Sequence, residues 1–343
     1  MTYRFGSGTA AGRARMLLGM LALLTPAGGV AAQASGSAHL VIISGLSGEE
    51  RFARDFVAWG AALAAAAESR HGVPSANVVW LAEDAEAHER IRDRSTRANI
   101  ERELRSLAGR AGADDRVLIV IYGHGSYQSG ESRVNLPGPD INAKDLAALL
   151  DGLRTQRVAV VNTTSASGGF IHDLAAPNRI VITATKSGME ANETVFGRHF
   201  TMALTGDAAD TDKDGRISLL EAFDYARAEV EREYQRGNKL LTEHAVLDGV
   251  GDGKGAAELA AASPHAQAAS SFHLGAVAAA ALNAAPELRA LYEAKARIEG
   301  AIAALRARKD TMPAAEYDGE LERLLLELSR NGQAIRRLEG GGS

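Results

Sequence analysis

The chain has 343 residues, of which 46% are hydrophobic and 24% are charged, and its formal net charge is -5. This size suits one globular domain with extensions, or two domains, and the negative charge argues against a nucleic-acid partner. The chain has no cysteine, which excludes a disulfide, a thiolate metal site and a cysteine nucleophile.

The first 34 residues have the pattern of an export signal. Arg13 and Arg15 precede a short apolar run over residues 16–24, and residues 32–34 form a small-residue cleavage motif. The apolar run is shorter than a membrane-spanning helix requires, and the alternative is an uncleaved anchor or a buried helix. We predict a cleaved signal, a secreted or periplasmic protein, and no membrane span once the signal is removed.

Residues 38–255 alternate between strand and helix patterns. Continuous apolar runs predict buried parallel strands, and segments with helical spacing lie between them, with Thr96 as the cap of the second helix. This alternation predicts an α/β domain with a mainly parallel sheet and helices on both faces. The predicted strands cover residues 39–44, 77–81, 117–122, 158–162 and 180–184, and the predicted helices cover residues 52–69, 95–111, 145–153 and 196–204.

The C-terminal part of the chain has a different pattern. Residues 256–285 are rich in alanine and are predicted to be a connector, either helical or irregular. Heptad-like apolar positions then recur over residues 286–310 and 313–339, with a helix stop and restart between them. This pattern predicts a helical hairpin over residues 286–339. The hairpin would pack on the domain, inhibit it as a cap, or mediate self-association.

Two polar loops follow two of the predicted strands. His124, flanked by glycines, comes directly after the strand over residues 117–122, and Ser165 follows the strand over residues 158–162. Chemistry lies beyond the carboxyl ends of parallel strands, so adjacent strands would bring a histidine base to a hydroxyl nucleophile. The N–H group of Gly125 would then stabilise an oxyanion. The alternative is a pair of loops that only make a turn and cap a helix.

These loops resemble the histidine and nucleophile motifs of the caspase-like cysteine peptidases, in particular those of the legumain (hemoglobinase) family. His124 falls on the catalytic histidine, and Ser165, followed by Ser167 and Gly168, falls on the catalytic cysteine. Similar segments occur in the same order over about residues 38–255. The resemblance implies a caspase-like fold, a peptide or protein as substrate or partner, and proteolysis as the reaction.

The same resemblance implies a substrate pocket. Arg51 and Asp55 match the family's Arg-x-x-x-Asp segment, whose arginine lines the pocket, and Thr185 and Glu193 lie in the third substrate-side loop. Thr163 stands where the family has an acid near the pocket. The family's preference for an Asn or Asp side chain is therefore not implied for this chain.

Serine at position 165 changes the chemistry that the resemblance implies. A serine hydroxyl is far less acidic than a thiol and usually needs a third group to orient its histidine, yet no acid closely follows His124. Three functions stay open. The protein is a catalytically silent binding or scaffold relative that uses its peptide groove and hairpin, a hydrolase that uses Ser165, or a protein with an unrelated function on this scaffold.

Residues 210–221 fit the EF-hand loop at each defining position, and Gly215 stands where the loop turns sharply. The alternative is an Asp/Gly turn that caps the following helix. We predict a structural Ca²⁺ site, and no other cofactor. The predicted oxygen ligands are Asp210, Asp212, Asp214, the backbone carbonyl of Arg216, Ser218 and Glu221.

Overall fold

The computed structural model describes residues 36–153, 157–275 and 284–340, so the predicted export signal lies outside the described residues and stays a prediction. The strands in these ranges are β1 (Ala38–Ser44), β2 (Val78–Ala82), β3 (Asp93–Arg94), β4 (Arg116–Tyr122), β5 (Gly125–Gln128), β6 (Glu131–Val134), β7 (Ile141–Asn142), β8 (Arg157–Asn162), β9 (Arg179–Thr183) and β10 (Val246–Asp248). The α-helices are α1 (Glu50–Ser69), α2 (Arg97–Arg110), α3 (Ala143–Leu150), α4 (Phe170–Leu174), α5 (Phe196–Thr205), α6 (Leu219–Arg236), α7 (Pro264–Ser270), α8 (Pro286–Ala307) and α9 (Ala314–Gly340).

A seven-stranded sheet forms the centre of the fold, in the order β10-β9-β8-β4-β1-β2-β3. All neighbouring strands are parallel except β9 and β10. The five predicted strands correspond to β1, β2, β4, β8 and β9. The α/β fold class with a mainly parallel sheet is therefore confirmed, whereas the antiparallel edge strand β10 was not predicted because it has only three residues.

Helices cover both faces of this sheet, as predicted. Successive side chains of a strand point to opposite faces. Leu40 and Ile42 of β1 accordingly share a core with α1, α5 and α6, whereas Val41 and Ile43 share one with α2, α3 and α4. Thr96 caps α2, since its hydroxyl accepts a hydrogen bond from the Asn99 N–H group at 3.3 Å.

A second, antiparallel sheet in the order β5-β6-β7 begins directly after the predicted histidine loop. Ser129 and Gly130, with φ of 53° and 84°, form the two-residue turn between β5 and β6. We did not predict this sheet because β5 and β6 are short and polar and lack an apolar run. The first residue of this sheet is Gly125, which pairs with Val134. The backbone directly after His124 is therefore held in a strand.

The C-terminal helices α8 and α9 pair as the predicted hairpin. The Asn331 side chain of α9 donates a hydrogen bond to the Leu291 carbonyl of α8 at 3.1 Å. The first helix ends three residues before the predicted end because residues Lys309–Thr311 form a 3-10 turn. The proposed roles of the hairpin in self-association or autoinhibition stay predictions. The buried residues of the hairpin's own core are Ile298, Ile302, Leu305, Tyr317 and Leu324.

Part of the predicted connector is helical. Helix α7 lies within it, and its cap Ser263 accepts a hydrogen bond from the Ala266 N–H group at 3.2 Å. Residues 276–283 of the connector lie outside the described ranges. Among the described residues, no helix combines the length and the apolar character that crossing a membrane requires.

Candidate active site

The two predicted site loops lie side by side because β4 and β8 are neighbours. These strands are parallel, with Ile121 opposite Asn162, so His124 and Ser165 leave the sheet at the same edge. The loops are also in close contact, since a Cβ atom built on Gly125 would lie 2.1 Å from the Ser165 carbonyl oxygen. Glycine at position 125 is therefore required for this approach of the two backbones.

The His124 ring is held by aromatic packing and by one hydrogen bond. Its centroid lies 4.6 Å from that of Phe52 and 5.8 Å from that of Phe56, in edge-on arrangements. Its Nε2 atom lies 3.0 Å from the Ser47 carbonyl oxygen. A carbonyl oxygen only accepts hydrogen bonds, so the proton of a neutral His124 is on Nε2. The Nδ1 atom is then the one with a free lone pair, which is what a general base needs.

The Ser165 hydroxyl is bound to the histidine loop rather than to the histidine ring. Its side chain is buried, and its Oγ donates a hydrogen bond to the Gly125 carbonyl at 3.1 Å. The same Oγ accepts a hydrogen bond from the Gly125 N–H group at 3.0 Å. The predicted nucleophile thus occupies the predicted oxyanion donor, and its hydroxyl proton is donated to the Gly125 carbonyl rather than to the base.

Strained backbone follows Ser165 directly. Ala166 adopts a left-handed conformation with φ of 54°, which is uncommon for a residue with a Cβ atom. Its N–H group donates to the Glu190 carbonyl at 2.8 Å, and this bond holds the turn. Strained positions of this kind concentrate at functional sites. No sequence pattern predicts this turn, because alanine favours helical rather than left-handed backbone.

The four predicted pocket residues fall into an exposed pair and a buried pair. They are Arg51, Asp55, Thr163 and Thr185. Arg51 is exposed and bridges Glu49 and Glu193 at 3.0 Å each, with its guanidinium 4.1 Å from the Phe52 ring centroid. Asp55 is exposed one helical turn further along α1. The contact between Arg51 and Glu193 joins α1 to the loop between β9 and α5.

The other two predicted pocket residues, Thr163 and Thr185, are buried. The Thr163 hydroxyl donates to the Ile121 carbonyl at 2.8 Å. The Thr185 hydroxyl accepts from the Gly168 N–H group at 2.9 Å and donates to the Ser187 carbonyl at 3.1 Å. Both threonines therefore join backbone segments behind the site, and the assignment of all four residues to a pocket stays a prediction.

Two carboxylates, those of Glu190 and Glu243, hold the loop between β9 and α5. The Glu190 side chain contacts His244 Nδ1 at 2.6 Å and accepts from the Lys186 N–H group at 3.0 Å. Glu243 accepts hydrogen bonds from the N–H groups of Val195 and Phe196, the shorter one at 2.7 Å, at the start of α5. Burial raises the pKa of Glu243 to about 7, although these hydrogen bonds oppose the shift.

We expect Glu243 to make the free energy of unfolding depend on pH. Between pH 4.5, the ordinary pKa, and about 7, the folded state holds a proton that the unfolded state has lost. Stability therefore falls as the pH rises through this window, by about 3 kcal/mol at most. Urea unfolding at several pH values should show a flatter profile for Glu243→Gln, which stays neutral. The exposed control Glu258→Gln should keep the wild-type slope, and an unchanged slope in Glu243→Gln would contradict the assignment.

Three carboxylates of the predicted calcium loop lie close together. Oxygens of Asp210, Asp212 and Glu221 all lie within 4.8 Å of one another. Asp210 Oδ1 is buried without a hydrogen-bond partner, which fits an oxygen that coordinates a cation. Burial and the neighbouring carboxylate of Asp214 raise the pKa of Asp212. A divalent cation would offset this repulsion.

The other predicted calcium ligands have different partners. Asp214 bonds the Arg216 guanidinium at 2.8 Å, and Arg216 also contacts Glu299 of the hairpin. Burial alone would raise the pKa of Asp214, but Arg216 lowers it. Ser218 caps α6 by accepting from the Glu221 N–H group at 3.2 Å. Of the predicted ligands, Asp210, Asp212 and Glu221 have converging carboxylate oxygens, but the Glu221 carboxylate also accepts hydrogen bonds from the N–H groups of Thr211 and Ser218 at 2.9 Å each. Both the metal and its ligand set stay predictions.

A second cluster, formed by Asp248, Asp252 and His265, fits a cation less well. His265 Nδ1 lies 3.1 Å from the Gly249 N–H group and accepts its hydrogen bond. The proton of neutral His265 is then on Nε2, so neither ring nitrogen has a free lone pair for a metal. Asp248 is also used locally, because it accepts from the N–H groups of residues 250, 251 and 253.

No protein-family model and no curated protein matches the chain. Among solved structures, the protein GSU0716 of Geobacter sulfurreducens is 15% identical, over 56% of this chain and 89% of its own, with a TM-score of 0.39. The Drosophila initiator caspase Dronc is 10% identical, over 65% of this chain and 84% of its own, with a TM-score of 0.40. At these scores, neither similarity identifies a family, and the fold class rests on the sheet order and helical layers described above.

Proposed function

We propose that this chain is a peptidase-like protein of the caspase and legumain type whose hydrolytic centre is silent in the natural sequence. The observation that carries the proposal is the pair of hydrogen bonds between Ser165 Oγ and Gly125. To attack a peptide carbonyl, Oγ must leave both partners and pass its proton to His124. The Gly125 N–H group must also be free to stabilise the oxyanion, and Ser165 occupies it.

Breaking the two hydrogen bonds between Ser165 and Gly125 costs free energy, and the site offers Ser165 little activation in return. Each buried hydrogen bond contributes about 0.5–1.5 kcal/mol. A serine also needs strong activation, because its hydroxyl is much less acidic than a thiol. The group that orients His124 is a neutral backbone carbonyl, which stabilises an imidazolium less than a carboxylate does. We propose that the surface around His124 and Ser165 binds a peptide or protein partner instead of cleaving it.

A hydrolase that uses Ser165 is the second candidate, and the Nε2-protonated tautomer of His124 favours it. The two candidates differ in the hydrolysis of a mixed peptide library by residues 35–343 with calcium present. We expect no turnover above that of Ser165→Ala, which keeps the fold but has no nucleophile. Turnover by the wild-type protein that is lost in both Ser165→Ala and His124→Ala would instead establish the serine hydrolase.

We also propose that the protein is exported, as its first 34 residues suggest, and works outside the cytoplasm. The support is the sequence pattern alone: basic residues, a short apolar run and a small-residue motif. Fractionation of cells that express the full chain should place a shortened product, beginning near residue 35, in the secreted or periplasmic fraction. A full-length product that remains in the cytoplasm would exclude export.

We expect the loop over residues 210–221 to bind Ca²⁺ and to stabilise the fold. Titration calorimetry with CaCl₂ should give a single site, and the melting temperature should rise with Ca²⁺ because the ion binds only the folded loop. Glu221→Gln removes a carboxylate charge and should weaken binding by about tenfold or more. Asp252→Asn, in the second acidic cluster, is the matched control and should bind as the wild type does. Equal affinities in the two variants would place the ion elsewhere.

A further inference from the structure

The residue that orients His124 is itself held by a carboxylate. Ser47, whose carbonyl accepts the hydrogen bond from His124 Nε2, is buried at 7% exposure. Its N–H group and its hydroxyl both donate to one oxygen of Glu83, at 2.9 and 2.6 Å. Hydrogen bonds to an ionised carboxylate are short and strong. Glu83 follows β2 directly, so it reaches Ser47 from the same edge of the sheet.

The chain is held by hydrogen bonds before Ser47 but lies in open space after it. The two preceding residues are fixed by backbone bonds, from the Gly45 N–H group to the Tyr122 carbonyl and from the Leu46 N–H group to the Asn135 carbonyl. The next residue, Gly48, has φ of 68° and no atom within 4 Å of the position of a Cβ atom. Glycine in open space allows the peptide plane between residues 47 and 48 to rotate.

We propose that Glu83 is a positioning residue for His124. By holding Ser47 through two hydrogen bonds, it keeps the Ser47 carbonyl directed at Nε2 and leaves Nδ1 as the unprotonated nitrogen. No acid lies close to His124 in the sequence. Glu83 therefore acts on His124 through Ser47. The role of this arrangement in catalysis rests on the proposed peptidase-like function. The tautomer of His124 can be measured whether or not that function is correct.

The test is the tautomer of His124 in ¹⁵N-histidine-labelled protein, measured by NMR at about pH 9, where imidazoles are neutral. The chain has nine histidines, and the His124→Ala spectrum identifies the signals. We expect a protonated Nε2 and an unprotonated Nδ1 in the wild type. In Glu83→Ala, the two ¹⁵N shifts should move toward each other as the second tautomer becomes populated. Glu83→Gln, whose amide oxygen still accepts, and the exposed control Glu86→Ala should keep the wild-type shifts.

Unchanged His124 shifts in folded Glu83→Ala would overturn the proposal. If Glu83→Ala does not fold, Ser47→Ala serves instead, because it removes only the hydroxyl bond and should give a smaller change of the same sign. No change there would also overturn it.

Activity adds a separate test in a Ser165→Cys background. There, Glu83→Ala should lower kcat by at least about tenfold at unchanged KM, a part of the ~10²–10⁴-fold that a positioned base contributes. A tautomer change without turnover in the Ser165→Cys background would leave the positioning role standing and contradict the proposed peptidase-like site.

Discussion

We expect Ser165→Cys to make the site beside His124 reactive. Sulfur is a weak donor and acceptor, so the substituted side chain should release the Gly125 N–H group. A thiol also loses its proton far more readily than a hydroxyl, and His124 Nδ1 is available to receive it. Because the natural chain has no cysteine, the new thiol is the sole thiol that iodoacetamide can alkylate. It should react at least about tenfold faster than an exposed thiol, and hydrolysis of the peptide library should appear.

Two further variants make this result interpretable. Ser69→Cys places a thiol at an exposed position on α1 and gives the rate of an unactivated cysteine. His124→Ala in the Ser165→Cys background should return the rate to that value, because the base is lost. A thiol at position 165 that reacts no faster than the one at position 69, in a folded protein, would show that His124 does not activate this position.

We expect Gly125→Ala to be strongly destabilising. The added methyl group would lie 2.1 Å from the Ser165 carbonyl oxygen, 2.9 Å from the Arg133 carbonyl oxygen and 2.9 Å from Thr164 Oγ1. Two of these are backbone atoms of separate strands or loops, so the site must open rather than adjust a side chain. Overpacking of this kind costs about 1–3 kcal/mol. Urea unfolding should show a corresponding loss of stability, together with loss of the Ser165–Gly125 contacts.

Gly109→Ala is the matched control for this prediction. Gly109 lies in α2, and nothing lies within 4 Å of the position of its added methyl group. Alanine is favoured over glycine in a helix by about 0.5–1 kcal/mol, so this substitution should stabilise the protein slightly. Equal effects of the two substitutions would mean that the loops at Gly125 and Ser165 are not in close contact in solution.

The sequence by itself determined the layers of the fold and the edge where the site lies. Continuous apolar runs identified the five central strands, because a strand covered on both faces needs apolar residues at successive positions. The spacing of Leu and Ile residues identified the C-terminal hairpin. A helix that packs on one face needs apolar residues at every third or fourth position. Once β4 and β8 are neighbours, the ends of those strands bring His124 and Ser165 to one edge, which the chain order already suggested.

Only the tertiary structure decided what each polar atom of the site bonds to. Ser165 Oγ bonds Gly125, 40 residues earlier in the chain, and Arg51 bonds Glu193, 142 residues later. The Glu83 carboxylate reaches Ser47 because β2 lies beside β1. Such partners depend on strand order and on loops packed against each other, whereas a sequence pattern reports only local burial. The residue types at the site can therefore be identified from the sequence, but the hydrogen bonds between Ser165 and Gly125 are set by the fold.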